Sequence, residues 1–223
     1  MTKIALYCCY YGDYRDELKN GLETFTIDPK IDCFFYTDRK DVVSDRWKIQ
    51  TCNIKEDAEV MDQYRHMAKK TKFIPPKELE EYDILIYIDC KYLRRRRVSI
   101  HSIQRKPLPS YDEILRNIEN YDVLFEKHPW RTQAKEEIDC TIQKNLENKK
   151  EVMDYYNNRK NKTHSVDLID TGYIIRRQNE RTNHLMRTVY EQLLQYNLKR
   201  DQNVFNYVLD DIDSPKERLS LSL

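Results

Sequence analysis

The stretch from Glu81 to Arg97, EYDILIYIDCKYLRRRR, does most to limit what this chain can become. Ile84–Ile88 is a continuous apolar run, rich in β-branched and aromatic residues, with charge on both sides. Its length and composition predict a buried strand. The run stops on Asp89. A carboxylate at the carboxyl end of a central strand stands where open α/β sheets place their ligands. Four arginines, Arg94 to Arg97, follow the strand. One acid at a sheet edge, beside a dense positive loop, suits a divalent metal and a phosphorylated ligand. Taken alone, Asp89 is equally well a cap for the next turn.

The same kind of run recurs. Lys3–Tyr10 and Ile31–Thr37 read as strands, and Trp47–Thr51 as a third, shorter one. Between them Leu18, Leu22 and Phe25 give a helical stripe, and Asp57–Phe73 reads as a helix stopped by Pro75 and Pro76. Strand and helix in alternation predict an α/β domain with a mostly parallel sheet. Further on, Ser110 and Glu113 have capping-box spacing ahead of Ile114, Leu115 and Ile118. Asp122–Glu126 reads as a strand feeding HPWR at residues 128–131. Residues 134–157 carry one thin apolar stripe, Ile138, Ile142, Leu146 and Met153. Val166–Arg176 predicts a strand broken at Asp170-Thr171-Gly172, with helices over Asn183–Tyr196 and Arg200–Val208. We expect one domain over residues 1–213 and a loose tail over 214–223.

Composition removes several function classes. The chain has 223 residues, enough for a sizeable core, and a formal charge of +1. A near-neutral chain has no global field drawing it to nucleic acid, and the arginine run is isolated. With three glycines, Gly12, Gly21 and Gly172, a glycine-rich phosphate loop is impossible. Six cysteines contain no C-x-x-C pair, which argues against a zinc ribbon and for small buried hydrophobes in a reducing compartment. No apolar run approaches the ~20 residues of a membrane span. We expect a cytoplasmic protein. Its Lys/Asn/Tyr-rich composition fits an AT-rich genome, such as that of a virus or bacterium.

Several residues have side chains fit for chemistry. Arg65 and Lys72 are seven apart with Lys69 between them, so they share one helix face and can grip a diphosphate or sugar. The same stripe is also an ordinary solvated face. His128 ends a strand and is a candidate partner for Asp89 on a metal, although a single histidine is more often structural. Arg131, Glu136 and Glu137 put both signs of charge within ten residues, suited to orienting a sugar or supplying a base. Asp170 precedes Gly172 and suits a substrate hydroxyl, or else a plain turn. Asp201 is placed to cap the helix that follows it.

Taken in order, these segments resemble a family of small GT-A type glycosyltransferases with plant, bacterial and viral members, formerly known as a domain of unknown function. The residues that carry the resemblance are CCYYGDY at the first strand, FFYTD at Phe34–Asp38 and RHMAKKTKFIP at Arg65–Pro75. YIDCK at Tyr87–Lys91, KHPWRTQAKEE, DTG at Asp170–Gly172 and RDQ at Arg200–Gln202 complete the set, over nearly the whole chain. No one of these motifs is specific, but the ordered set is.

The resemblance implies a hexosyltransferase-like enzyme with a nucleotide-sugar donor, a glycan or other hydroxyl acceptor, and a divalent metal, Mn²⁺ or Mg²⁺. It implies that Tyr10, Tyr11, Thr37 and Asp38 bind the nucleoside, uridine by analogy. Arg65, Lys69, Lys72, Arg131 and Arg200 are implied on the rest of the donor, and Asp89 with His128 on the metal. Asp170, Asp201, Glu136 and Glu137 are implied as candidates for the base. The chain departs from the general GT-A pattern at the metal motif, where Asp89-Cys90-Lys91 stands in place of the usual D-x-D. Two rival functions remain open: a nucleotidyltransferase, which would ordinarily carry a glycine-rich loop after its first strand, and a non-catalytic carbohydrate- or RNA-binding module using some of the seventeen tyrosines.

Overall fold

The computed structural model describes residues 1–12, 18, 22, 27–52, 60–92, 108–159, 167–211 and 219–220. Most of the helical stripe around Leu18–Phe25, the beginning of the helix expected from Asp57, and the arginines 94–97 lie outside the described residues. The chain divides into two compact units, Met1–Glu119 and Asn120–Leu223.

In the first unit the apolar runs become β1 (Ile4–Tyr10), β2 (Asp32–Thr37), β3 (Lys48–Thr51) and β4 (Ile84–Ile88). They lie in the order β3-β2-β1-β4, all parallel. Every residue of β1 and β4 is buried, as a continuous apolar run requires. Each such side chain contributes roughly 1.5–3 kcal/mol by leaving water. Edge-to-face ring pairs, Tyr7 with Tyr87 at 5.3 Å and Phe35 with Trp47 at 6.1 Å, fill the core. Because the strands are parallel, Tyr10, Thr37, Thr51 and Ile88 all end at one edge.

The helix α1 (Val60–Phe73) ends just before Pro75 and Pro76, as expected. It docks on β1 through polar contacts: the Tyr7 hydroxyl donates to the Lys72 carbonyl at 2.7 Å, and the Tyr11 hydroxyl meets Thr71 Oγ1 at 2.9 Å. The approach is close enough that a Cβ on Gly12 would sit 2.7 Å from Tyr64 Cδ2, and Gly12 has φ +68°. Glycine is required there on both counts. The helix α2 (Tyr111–Asn117) opens with the expected capping box between Ser110 and Glu113.

The second unit pairs β5 (Val123–Lys127) antiparallel with β6 (Ile169–Arg177), and β5 parallel with β7 (Leu219–Ser220). So a strand lies within the stretch expected to be a loose tail. The break expected at Asp170–Gly172 is real in a different form. The strand continues, but the register jumps from Phe125↔Ile174 to Glu126↔Asp170, leaving three residues of β6 unmatched. Such a bulge re-aims the residues beside it.

The thin stripe of residues 134–157 is two helices, α3 (Ala134–Gln143) and α4 (Lys149–Asn157). Asn145 at φ 51° turns the chain between them, and the Asn148 side chain caps α4. The helices α5 (Glu180–Gln195) and α6 (Gln202–Asp211) complete the unit, with Phe125 against Phe205 at 5.1 Å in its core. The α/β class and mostly parallel sheet are as the sequence predicts. No helix among the described residues is long and apolar enough to cross a membrane.

Candidate functional site

The carboxyl edge of the first unit's sheet gathers most of the donor residues read from the sequence. Asp38 follows β2, and its Oδ1 accepts the Gly12 N–H at 3.0 Å, tying the turn after β1 to the end of β2. Thr37 is fully buried, and its Oγ1 accepts the Arg39 N–H at 3.1 Å. Tyr10 ends β1 at this edge, and it and Tyr11 are buried. Burial also pushes the Tyr11 phenol far above its ordinary range.

Asp89 follows β4 at the same edge. The Tyr87 hydroxyl donates to its Oδ1 at 3.0 Å. The Lys72 ammonium lies 3.8 Å from Oδ1, and the Lys91 ammonium 3.1 Å from Oδ2. The α1 stripe therefore splits. Arg65 is exposed and Lys69 half-buried, but the Lys72 side chain is only 2% exposed. Lys72 sits over the Tyr87 ring at 4.9 Å and the Phe73 ring at 5.3 Å. Aromatic faces and a carboxylate together offset the cost of burying an ammonium. Tyr87, in turn, is pushed well up by burial, so it stays a neutral donor to Asp89. Lys91 is the residue that sequence reasoning overlooked. Its signal was in plain view, at the position where D-x-D carries its second acid.

The second unit holds the other candidates. The His128 backbone N–H donates to the Leu168 carbonyl at 2.8 Å, fixing the ring at the end of β5. Nδ1 accepts N–H groups of Trp130 at 3.3 Å and Arg131 at 3.1 Å, and Nε2 lies 2.9 Å from Arg131 Nη2. Burial, then the Arg131 charge, hold the imidazole below its ordinary pKa of 6.5. Arg131 also pairs with Glu137 Oε2 at 2.6 Å, while Arg200 Nη2 reaches Glu137 Oε1 at 2.8 Å. Glu137 is fully buried between these two guanidiniums. Glu147, which carries no functional signal in the sequence, accepts the Arg200 N–H at 2.9 Å and bonds Asn203.

The four base candidates therefore have different surroundings. Glu136 Oε2 accepts the N–H groups of Thr132 at 2.9 Å and Gln133 at 3.0 Å, which hold its pKa down. It caps α3. Glu137 is an ion-pair hub. Asp201 is buried directly before α6, and its carbonyl takes the Val204 and Phe205 N–H groups. Asp170 is half-buried at the β6 bulge, with Oδ1 accepting the Gly172 N–H at 2.8 Å.

A divalent cation fits neither of its expected ligands. A carboxylate about 2.2 Å from such an ion attracts it by ~15 kcal/mol at an effective dielectric of about 20, and a single ammonium about 4 Å away, such as Lys72, cancels about half of that. Lys72 is too buried to withdraw. At His128, Nδ1 accepts the N–H groups of Trp130 and Arg131, so the neutral ring carries its proton on Nε2 and has no second lone pair for a metal. Among the described residues no three histidine, cysteine or acidic side chains cluster in reach of one ion.

No family model and no curated protein matches the chain. Among solved structures, the galactosyltransferase LgtC, in complex with donor and acceptor sugar analogs, aligns with 97% of this chain and 72% of its own at 12% identity, with a TM-score of 0.45.

Proposed function

We propose that this chain is a GT-A type glycosyltransferase that moves a sugar from a nucleotide-sugar donor, a UDP-sugar in our reading, to a hydroxyl of a glycan or other acceptor. The observation that carries the reading is Asp89 with Lys72 and Lys91 at the carboxyl edge of a parallel sheet. Such edges are where open α/β sheets take ligands, and cations there suit a diphosphate. The ordered set of family motifs in the sequence supports the same reading.

In this reading the turn at Gly12 and Asp38, shaped by Tyr10, Tyr11 and Thr37, holds the nucleoside. Arg65 and Lys69, on the accessible part of α1, steer the phosphates. Of the base candidates, Glu136 is engaged as a helix cap and Glu137 is held by two arginines, which leaves Asp170 and Asp201. Arg131 and Arg200 then serve Glu137 before they serve any donor. No step runs through a metal, since the residues at Asp89 and His128 do not fit one.

The test is incubation with UDP-, GDP- and ADP-sugars, reading free nucleoside diphosphate. Slow release from one class, suppressed in Arg65→Ala but not in Lys40→Ala, is the expected result. A protein that binds no nucleotide sugar fails the reading.

A further inference from the structure

We propose that Lys91, backed by the buried Lys72, binds the donor diphosphate in the place a divalent cation would take, and that Asp89 serves to position the two ammoniums. This rests on the transferase reading above. It deepens that reading at the same cluster of Asp89, Lys72 and Lys91.

Asp89 is followed by a single 3₁₀ turn, Cys90–Tyr92, which turns Lys91 back so that its ammonium meets Asp89 Oδ2 at 3.1 Å. The Lys91 side chain is 39% exposed, so a ligand can reach it, whereas Lys72 is sealed at 2%. Two ammoniums stand against one carboxylate at this sheet edge. An ammonium has three donors, so Lys91 can hold Asp89 and a phosphate oxygen together. The Tyr87 hydroxyl fixes Asp89 from the other side at 3.0 Å. The cluster is thus preorganised before any ligand arrives.

The chemistry follows. The anomeric C–O bond breaks and its electron pair leaves on the diphosphate oxygen. The acceptor oxygen bonds the anomeric carbon, and its proton passes to a carboxylate. Negative charge grows on the diphosphate, and a fixed ammonium meets it as a Lewis acid would.

The experiment is calorimetric titration of UDP, GDP and ADP into wild type, Lys91→Met, Lys91→Arg and Lys91→Asp, each in EDTA and in Mn²⁺. Spin resonance of Mn²⁺ alone and thermal melts accompany each protein. We expect wild type to bind one nucleotide equally, within about twofold, with or without metal. Lys91→Met should lose about tenfold or more and Lys91→Arg should keep most of the affinity, with melts unchanged. Lys91→Asp should bind Mn²⁺ and become metal-dependent. Wild-type binding that vanishes in EDTA, or a Lys91→Met variant that binds normally, overturns the proposal and leaves the transferase reading standing. Absence of nucleotide binding under every condition overturns both.

Discussion

Each unit of this protein holds a carboxylate between two cations, and the two arrangements differ in what water can reach. Asp89 lies between Lys72 and Lys91 with its side chain 30% exposed, whereas Glu137 lies between Arg131 and Arg200 at 0%. The outer cations are similarly accessible, Lys91 at 39% and Arg200 at 33%. The choice of cation matches the setting. Guanidiniums fork onto Glu137, with Arg200 giving it both Nε and Nη2, which suits a permanent buried pair. Ammoniums are compact point charges that can change partner. A carboxylate sealed from water can serve only the fold, whereas one open to water is within reach of a ligand.

The comparison can be broken most forcefully at Glu137. Glu137→Gln leaves two partly buried guanidiniums facing a neutral amide and should destabilise by about 3–5 kcal/mol. Chemical denaturation would show it, and a loss under ~1 kcal/mol would mean that the buried hub is not structural. Lys91→Met is the counterpart at the open site. Its ion pair is solvent-screened and should contribute less than ~1 kcal/mol to stability. Transfer from the donor should nevertheless fall about 10²–10³-fold, the scale for removing one preorganised charge stabiliser. A variant that loses stability but keeps its rate would reverse the roles assigned to the two regions.

Smaller effects sharpen the contrast. Tyr87→Phe removes the hydroxyl that orients Asp89 and should slow transfer by roughly 1 kcal/mol, or about fivefold, with the melt nearly constant. The second unit should show its burial in pH dependence. His128 has a folded pKa below the ordinary 6.5, so the unfolded chain takes up a proton first as pH falls. The histidine therefore costs the protein nothing above 6.5 and destabilises it increasingly as pH drops from 6.5 toward the folded value. His128→Gln forfeits hydrogen bonds at every pH but escapes this penalty. The gap in melting temperature between wild type and variant should then narrow from pH 7.5 to 5.5, and a constant gap would show that the ring is not held neutral.

Much of this was legible in the chain itself, for local reasons. Continuous apolar runs marked β1, β2 and β4, because a residue buried on both faces must be apolar whatever its neighbours. Ser110 and Glu113 announced the start of α2, because a capping box is closed by residues three apart. The end of the apolar run put Asp89 at the carboxyl end of β4. The stripe of α1 was legible as a periodicity, but not the point at which it enters the core. Lys72 looks like Arg65 in sequence, and only the packing of α1 on β1 carries it under Tyr87 to Asp89.

The same limit explains the rest. Glu137 meets Arg200 across 63 residues, and Glu147 meets Asn203 across 56. Nothing in the local spacing distinguishes these acids from the exposed cap Glu136 beside them. The bulge that takes Thr171–Tyr173 out of register depends on β5 as much as on β6. Periodicity and capping are properties of neighbours along the chain, so the sequence alone determined β1, β2 and β4, the capping box at α2 and the sheet edge at which Asp89 stands. Which carboxylate is sealed and which is left open depends on what the folded chain brings over it, and that is set by packing between segments far apart in the chain.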